Sequence, residues 1–287
     1  MQEKRTGFPN TYFVQNMTDG KEVERIALQD TVLTRAMGGV LPEQADPTRF
    51  RRIIDIGCGT GGWLIETART YPGIQFLVGI DTNSSMITYA REQADAQQMS
   101  GRVEFQVMDA LAHVQFPQHY FDLLNQRMGL SYLRTWDWSN TLTKYQYMTR
   151  PGGVIRITES AVFGTSDSPA LTRLREMARD SFYNAGHLFT NEDDGVINKI
   201  PELFHNHGFT DVQTRAVTLE YRPGTEMMDA FVDDVRIVFR TILPFLQKWS
   251  QIPQNYDEIY QNALFEMQQP GCITTLPLLT VWGKTPK

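Results

Sequence analysis

The sequence predicts an α/β fold in which a parallel sheet carries helices on both faces. Two observations support this prediction. Short apolar segments alternate with segments of helical periodicity between residues 51 and 160. In addition, the first apolar segment, "RRIIDIG", runs into a glycine-rich loop, and a helix follows the loop. A strand, a glycine loop and a helix in that order are typical of nucleotide-binding α/β proteins.

The elements are predicted in chain order from apolar periodicity and from turn residues. A first helix is expected over residues 21–37, where apolar residues recur at helical spacing. Strands are predicted at residues 51–57, 75–81, 103–109, 120–127 and 154–160. Helices are predicted between them at residues 62–71, 83–99 and 138–149. The sequence Pro151-Gly152-Gly153 predicts a turn before the fifth strand.

The regular alternation ends near residue 160. Pro169 and Gly186 lie where a helix over residues 166–186 would begin and stop. Another helix is expected near 194–207, and a long helical stretch at 225–269. Late strands are predicted at 211–221 and 274–284, so the helical segments look inserted. The expected division is an N-terminal helical cap (1–50), a cofactor-binding core (51–160), a helical insertion (161–200), a core strand region (201–221), a second helical insertion acting as a lid (222–270) and a final core strand (271–287).

Composition limits the classes of function. The 287 residues are 41% apolar and 21% charged, as in ordinary globular proteins. The net charge of −6 and the lack of a basic run argue against a nucleic-acid partner. No apolar run approaches the roughly 18 residues of a membrane span, and the N-terminus resembles no signal peptide, so a cytoplasmic protein is expected. Cys58 and Cys272 are far apart, so neither a disulfide framework nor a metal site is predicted.

The glycine loop fits two ligands. The pattern G-x-G-x-x-G beginning at Gly57 is the dinucleotide fingerprint, whereas D-x-G-x-G-x-G beginning at Asp55 suggests another nucleoside. Asp81 follows Gly57 by 24 residues and ends the second predicted strand. A carboxylate there can accept hydrogen bonds from both ribose hydroxyls. The alternative is that Asp81 caps the helix that follows it.

Three further features favour S-adenosylmethionine over NAD. Asp55 lies two residues before Gly57, where its carboxylate can face the ammonium group of S-adenosylmethionine. Asp109 ends the third predicted strand, where it can bind an adenine amino group. The sequence also lacks the Tyr-x-x-x-Lys pair of short-chain dehydrogenases. Because S-adenosylmethionine carries no pyrophosphate, a loop without basic residues suits it.

Five segments together resemble the successive motifs of class I S-adenosylmethionine-dependent methyltransferases, in the branch of ubiquinone/menaquinone-type and natural-product enzymes. These segments are "IIDIGCGTG", "GIDTNSSMI", "VEFQVMDAL", "FDLLNQRMGLSYL" and "RPGGVIRITE". The later segments "HGFTDVQTRAVTLEY" and "LPLLTVWGK" look like the family's sixth and seventh strands. The resemblance implies a Rossmann-like sheet of seven strands in the order 3-2-1-4-5-7-6, with the last strand antiparallel.

The resemblance also assigns cofactor-binding positions. By motif position these are Asp55, Gly57, Cys58, Gly59, Asp81, Thr82, Met86, Asp109 and Ala110. Asn125 and Gln126, which end the fourth strand, would lie beside the methionine portion of the cofactor. Tyr12 belongs to an N-terminal segment that often folds over the cofactor in this branch; the alternative is a mobile tail.

The ends of the fourth and fifth strands hold the catalytic candidates, because ligands of such sheets bind at the carboxyl ends of the strands. Glu159 could deprotonate or orient an acceptor, or pair with a neighbouring arginine or the next helix. Arg127 could bind an anionic substrate or form an internal ion pair. His187 could act as a general base, or be a solvated or capping histidine. Tyr132 and Trp136 could wall the pocket, or pack in the core.

The sequence therefore predicts an S-adenosylmethionine-dependent methyltransferase acting on a small, apolar or aromatic molecule, with S-adenosylhomocysteine as the second product. Oxygen, carbon and nitrogen acceptors remain open. The expected partner is a small-molecule substrate, with neither nucleic acid nor membrane, and a homodimer is allowed. The alternatives are a cyclase or isomerase that uses bound S-adenosylmethionine without methyl transfer, a non-catalytic regulatory module and, last, an NAD-dependent oxidoreductase.

Overall fold

A computed structural model describes residues 20–112 and 115–287. Its strands are β1 (Arg52–Ile56), β2 (Phe76–Asp81), β3 (Val103–Val107), β4 (Phe121–Arg127), β5 (Thr149–Ser160), β6 (Thr165–Ser166), β7 (Thr210–Tyr221) and β8 (Thr274–Lys284). Its helices are α1 (Gly20–Ala36), α2 (Gly62–Thr70), α3 (Ser84–Ala96), α4 (Trp138–Met148), α5 (Pro169–Asn184), α6 (Ile200–Asn206), α7 (Glu226–Thr241), α8 (Leu243–Trp249) and α9 (Tyr256–Glu266).

The strands form one mixed sheet in the order β3-β2-β1-β4-β5-β8-β7. Strands β1 to β5 are parallel, whereas β8 runs antiparallel to both of its long neighbours, β5 and β7. The predicted order 3-2-1-4-5-7-6 is confirmed, with β7 and β8 as the sixth and seventh strands of that scheme. The two-residue strand β6, which pairs with the start of β8, was not predicted.

Helices cover both faces of the sheet, and the side chains of β1 divide between them. Ile54 and Ile56 belong to an apolar cluster with α4 to α9, whereas Ile53 belongs to a second cluster with α2 and α3. Because side chains on both faces of the sheet are buried, the sequences of β1 and β4 are nearly continuous apolar segments.

Several predicted boundaries are wrong, and prolines explain most of the differences. The helix expected near 194–207 is confined to α6, because Pro201 lies in its first turn, where a missing N–H group is tolerated. The stretch 225–269 is three helices: Pro244 lies in the first turn of α8, and Pro253 lies between α8 and α9. Strand β5 already begins at Thr149, before the predicted turn, and its pairing with β4 shifts register there.

The late helices pack mainly against one another and join the sheet near the end of β5. Helix α5 packs against α8 and α9, while α1 packs against α2 and α7. Tyr221 at the end of β7 pairs with Thr274 at the start of β8, so the segment carrying α7 to α9 leaves and rejoins the sheet at adjacent positions. Within the described ranges, no helix has both the length and the apolar character that a membrane span requires.

Candidate active site

The loop between β1 and α2 contains three glycines in the left-handed conformation. Gly57, Gly59 and Gly61 have φ angles of 65°, 52° and 74°, which side chains with a Cβ adopt reluctantly. At Gly61, which precedes α2, a Cβ would also collide with the ring of Phe105. The loop therefore brings bare backbone and a helix N-terminus to the carboxyl ends of β1 and β2, where a ligand can approach closely.

Asp81 ties the glycine loop to the start of α3. Its Oδ2 accepts a hydrogen bond from the Gly59 N–H group at 3.0 Å, and its Oδ1 accepts one from the Asn83 N–H group at 2.8 Å. Burial raises the pKa of Asp81, and these backbone hydrogen bonds oppose that rise. Each oxygen keeps another lone pair for a ribose hydroxyl. The side chain that caps α3 is Asn83, so the capping alternative for Asp81 is wrong.

Asp55 lies in the sheet beside the loop and is 2% exposed. Its Oδ1 accepts a hydrogen bond from Nδ2 of Asn125 at 2.7 Å, whereas its Oδ2 has no hydrogen-bond partner among the residues that the structure describes. Burial raises the pKa of Asp55 to about 7, against the opposing charge of Arg127. A buried, unpartnered carboxylate oxygen is suited to an ammonium group.

The other predicted cofactor positions lie at the same edge, with different exposures. The N–H group of Met108 donates to the backbone carbonyl of Asp81, so Asp109 follows directly beside Asp81. β3 ends at Val107, two residues earlier than predicted. Cys58, Met86 and Ala110 are buried and Thr82 is exposed. Tyr12 lies outside the described residues, so its predicted contact remains a prediction.

The two residues that precede the end of β4 are fully buried. Asn125 joins Asp55, as described above. Gln126 accepts a hydrogen bond from the Tyr145 hydroxyl and donates one to Glu159 at 3.3 Å. Their predicted contact with the methionine portion of a cofactor is not tested by these interactions and remains a prediction.

The residues of this edge fit S-adenosylmethionine. The glycine cradle holds no basic side chain, Asp81 has acceptor capacity for a ribose, and Asp55 Oδ2 can hold an ammonium group. Residues 53–153, which contain all of these groups, match a methyltransferase domain family. The sheet order also agrees with the order that the sequence motifs imply. Residues 53–153 are therefore similar to a methyltransferase domain, and their motifs resemble those of the class I S-adenosylmethionine-dependent methyltransferases.

The named relatives match only part of the length of this chain. It is 30% identical to the demethylmenaquinone methyltransferase of Lactiplantibacillus plantarum over 35% of this chain and 41% of the relative. It is 32% identical to the aklanonic acid methyltransferase DauC of Streptomyces sp. (strain C5) over 47% of this chain and 59% of the relative. The chain thus spans about half the length of these relatives.

A solved structure shares the fold over nearly the whole chain. The phosphoethanolamine N-methyltransferase 2 of Haemonchus contortus, in complex with phosphomonomethylethanolamine and S-adenosylhomocysteine, superimposes with a TM-score of 0.57 at 17% identity. The match covers 98% of this chain and 61% of that one. The likeness establishes a common fold that includes the late helices.

Among the candidate catalytic residues, Arg127 forms an internal ion pair. Its Nη2 lies 2.5 Å from Oδ1 of Asp30 on α1, and its Nη1 donates to the Thr34 hydroxyl at 3.2 Å. The guanidinium also lies over the ring of Trp63 at 5.7 Å. The ion-pair alternative therefore describes the observed state, and contact with an acceptor remains a prediction.

Glu159 holds the turn that follows β4. Its Oε1 accepts a hydrogen bond from the Gly129 N–H group at 2.6 Å, and its Oε2 accepts one from the Leu130 N–H group at 3.2 Å. This turn begins at Met128, whose φ of 57° is unusual for a residue with a Cβ. Burial raises the pKa of Glu159 to about 7. Of the two structural alternatives, the arginine partner is not found among the described residues. The hydrogen bonds to the short helical turn Gly129–Ser131, together with one from Gln126, occupy the carboxylate instead.

His187 lies on the other side of the same turn and is fully buried, so the solvated alternative is wrong. Its Nδ1 lies 2.9 Å from the carbonyl oxygen of Leu130 and 3.0 Å from that of Leu133, so Nδ1 carries the proton. Its Nε2 has no hydrogen-bond partner in the described part of the chain. Desolvation lowers the pKa of His187 to about 4, and the ring packs against Phe182 and Phe245. His187 is therefore a neutral hydrogen-bond acceptor in an apolar setting.

Tyr132 and Trp136 differ in position. The Tyr132 hydroxyl lies 3.1 Å from the place that a Cβ on Gly57 would take, so this ring covers the glycine loop. Trp136 is 65% exposed and packs against Gly186, so it does not belong to the core. That Tyr132 or Trp136 lines an acceptor pocket remains a prediction.

Sequence reasoning missed a buried ion pair behind Asp55. Arg156 lies in the middle of β5 and pairs with Glu43 from the loop after α1, with both side chains 1% exposed. Asn125 joins this pair to Asp55. One signal could have found it, namely an arginine inside the apolar strand "VIRITES". Its partner carried no signal, because 113 residues separate Glu43 from Arg156.

Proposed function

We propose that the protein transfers a methyl group from S-adenosylmethionine to a small, apolar or aromatic acceptor and releases S-adenosylhomocysteine. The observation that carries this proposal is the cradle itself. Three left-handed glycines, the acceptor oxygens of Asp81 and Oδ2 of Asp55, which has no hydrogen-bond partner within residues 20–112 and 115–287, meet at the carboxyl ends of β1 and β2.

In this proposal the residues of the chain bind and orient. Asp81 accepts hydrogen bonds from the ribose, Asp55 receives the ammonium group, and Asp109 binds the adenine amino group. The cofactor supplies an electrophilic methyl group on a sulfonium. The protein has to hold the nucleophile about 3 Å from that methyl group, in line with the breaking bond, and to exclude water. Helices α1, α5 and α7 to α9 provide that enclosure.

The surroundings of His187 support the proposed acceptor class. Phe182 and Phe245 pack on its ring, and Leu130 and Leu133 hold its Nδ1. An apolar or aromatic molecule suits these side chains, and the net charge of −6 disfavours a polyanionic acceptor. The two curated relatives are likewise named for small molecules, demethylmenaquinone and aklanonic acid.

In the proposed reaction, proton transfer is secondary to the positioning of the acceptor. Glu159 already accepts hydrogen bonds on both oxygens, whereas Nε2 of His187 has no hydrogen-bond partner in the part of the chain that the structure describes. If the acceptor has to lose a proton, His187 is therefore better placed as its hydrogen-bond acceptor than Glu159. Arg127 keeps α1 in place through Asp30 and acts on the acceptor only if that pair opens.

The first test concerns the cofactor. Asp81→Ala removes a charged acceptor of two ribose hydrogen bonds, each worth about 1.5–3 kcal/mol. Calorimetry should show S-adenosylhomocysteine binding weakened at least about tenfold. Glu92→Ala, which removes an exposed acid from α3, should leave the affinity unchanged. Equal affinity in a folded Asp81→Ala protein would reject the ribose assignment.

The second test concerns transfer. The protein is incubated with methyl-labelled S-adenosylmethionine and a set of phenols, quinols and polyketide-like acceptors, and the label is followed by mass spectrometry. Label in an acceptor supports the proposal. Conversion of an acceptor with the label retained in the cofactor would indicate the cyclase or isomerase alternative. Tight cofactor binding without any conversion would indicate the regulatory alternative. A lid role for segments 161–200 and 222–270, a cytoplasmic location and a homodimer remain predictions.

A further inference from the structure

A chain of hydrogen bonds runs across three strands behind the cofactor cradle. Asp55, Asn125 and Arg156 occupy paired positions on β1, β4 and β5, so they lie side by side. Nδ2 of Asn125 donates to Oδ1 of Asp55 at 2.7 Å, and Nη1 of Arg156 donates to Oδ1 of Asn125 at 2.7 Å. Nε of Arg156 then donates to Oε1 of Glu43 at 2.8 Å. All four side chains are buried.

The direction of this chain is fixed by its chemistry. A guanidinium group can only donate hydrogen bonds, so the amide oxygen of Asn125 has to face Arg156 and its NH₂ group has to face Asp55. Oδ1 of Asp55 is therefore always an acceptor. Any proton that Asp55 carries has to lie on Oδ2, the oxygen without a partner among the described residues.

The fold alone gives little reason for such a chain. Burial lowers the pKa of Arg156, and the charge of Glu43 opposes that effect. Burying two charges is costly, and well-packed apolar side chains are often at least as stabilising as a buried ion pair. A buried pair that is connected through one amide to a cofactor-facing carboxylate points to a role at that carboxylate.

We propose that Glu43, Arg156 and Asn125 are positioning residues that hold Asp55 with Oδ2 toward the ammonium group of the cofactor, so that cofactor binding releases the proton from Oδ2 to solvent. The O–H bond of Asp55 breaks, its electron pair stays on Oδ2, and a carboxylate–ammonium pair forms. This inference rests on the proposed function, because it requires the cofactor to lie in the glycine cradle.

The groups around Asp55 agree with this assignment. Burial raises the pKa of Asp55 to about 7, Arg127 and Arg156 lower it, and Asp30 on α1 raises it. Three neighbouring groups also have raised pKa values and stay protonated near neutrality: Cys58, Tyr132 on the turn after β4, and Tyr145 on α4. Asp81 also lies at the loop, and it faces the ribose in the proposal. A comparison of ligands with and without an ammonium group therefore separates Asp55 from Asp81.

The experiment uses calorimetry with two ligands, S-adenosylhomocysteine and 5′-methylthioadenosine, which lacks the amino-acid portion. Binding enthalpies in buffers of different ionisation enthalpy give the number of protons released. For a pKa of about 7, S-adenosylhomocysteine should release about 0.9 proton at about pH 6 and close to none at about pH 8.5. 5′-Methylthioadenosine should release none at either pH.

Two variants test the series of hydrogen bonds from Asp55 to Glu43. The double variant Arg156→Met/Glu43→Gln removes both buried charges together, and Asn125→Leu removes only the amide. Each variant removes groups that stabilise the ionised form of Asp55. The pH at which S-adenosylhomocysteine binding improves should therefore rise by about one unit. The affinity should fall by up to about tenfold near neutrality, and this loss should shrink at high pH. The affinity for 5′-methylthioadenosine should not change.

Thr158→Val is the matched control, because it breaks another buried polar pair on β5, the 2.9 Å contact with Thr280, that does not reach Asp55. It should keep the wild-type pH profile. The proposal would be overturned if both Asn125→Leu and Arg156→Met/Glu43→Gln bound S-adenosylhomocysteine with the wild-type pH profile. It would also be overturned if the wild-type protein released no proton on binding this ligand at about pH 6. If the wild-type protein binds neither ligand, the proposed function fails first, and this inference fails with it.

Discussion

At the residue scale, Glu159 and His187 secure opposite sides of one turn. Glu159 accepts the N–H groups of Gly129 and Leu130, and His187 donates to the carbonyl groups of Leu130 and Leu133. The two most obvious candidates for proton transfer are thus also structural groups. Their roles can be separated by variants that change one hydrogen-bond property at a time.

Glu159→Gln should mainly reduce stability. An amide NH₂ group cannot accept from a backbone N–H group, so one buried donor loses its partner, at about 1–3 kcal/mol. The melting temperature should fall, while the affinity for S-adenosylhomocysteine stays near wild type. If Glu159 is a base instead, turnover per folded molecule should drop by about 10²-fold or more with little loss of stability.

The stability difference between the wild type and Glu159→Gln should depend on pH. Because the pKa of Glu159 is raised to about 7 in the folded protein, its protonated form is favoured by folding. The stability that it contributes is complete below its usual pKa and is lost as the pH rises through about 7. The glutamine side chain of the variant does not titrate, so the wild-type advantage in melting temperature should be largest near about pH 5 and should shrink toward about pH 8. A constant gap across this range would contradict the raised pKa.

His187 should not titrate near neutrality. Desolvation lowers its pKa to about 4, and Nδ1–H is held by two carbonyl groups. Long-range ¹H–¹⁵N spectra of the ligand-free protein should therefore show a neutral ring protonated at Nδ1 throughout about pH 5 to 8. A midpoint near the ordinary histidine value would mean that the ring reaches solvent.

The residue scale also shows what the sequence can reveal. Asp55 and Asp81 were predictable because each stands at a fixed offset from the glycine loop, and such offsets reflect strand ends that face one ligand. The Arg127–Asp30 and Arg156–Glu43 ion pairs were not predictable, because they join residues that are 97 and 113 positions apart in the sequence. No periodicity in the sequence encodes contacts of that separation.

At the element scale, α1 covers the glycine loop. Ile26 lies 3.7 Å from the place that a Cβ on Gly59 would take, and the carboxylate of Asp30 contacts Gly62 at the start of α2. The Asp30–Arg127 ion pair joins this helix to the end of β4, with the two side chains 11% and 15% exposed. The sequence predicted α1 almost to the residue but gave no indication of where it packs, since its apolar face fits any neighbour.

Because α1 lies over the cradle, the cofactor should enter and leave when this helix moves. Asp30→Asn weakens the ion pair, so the association and dissociation rates of S-adenosylhomocysteine should both rise about threefold to tenfold, with a smaller change in affinity. Stopped-flow fluorescence of Trp63, which lies under Arg127, can follow both rates. Glu66→Gln, which removes the exposed Glu66–Arg69 pair on α2, should leave them unchanged. Unaltered rates in Asp30→Asn would show that the cofactor does not pass under α1.

At the scale of the whole molecule, the inserted helices share one apolar core with the sheet. A single cluster contains Ile54 and Ile155 of the sheet, Leu174 of α5, Val235 of α7 and Ala263 of α9. The sequence distinguished the regular α/β part from the late helical segments, because the alternation of elements stops near residue 160. It could not show that the two parts share a core, since an apolar helical face does not specify its partner.

A shared core implies that the late helices and the sheet unfold together. Calorimetry should give one transition whose enthalpy is about 200 kcal/mol near 60 °C, as expected for the full 287 residues. S-Adenosylhomocysteine at about 100 times its dissociation constant adds about 2.7 kcal/mol. It should move that whole transition up by about 4 °C rather than divide it. Hydrogen exchange gives an independent check: the most protected amides of α9 and β4 should open with similar free energies. If α9 instead exchanges at a much lower free energy and melts in a separate, ligand-insensitive peak, the late helices form an independent unit, and their enclosure of the acceptor would have to arise only when substrate binds.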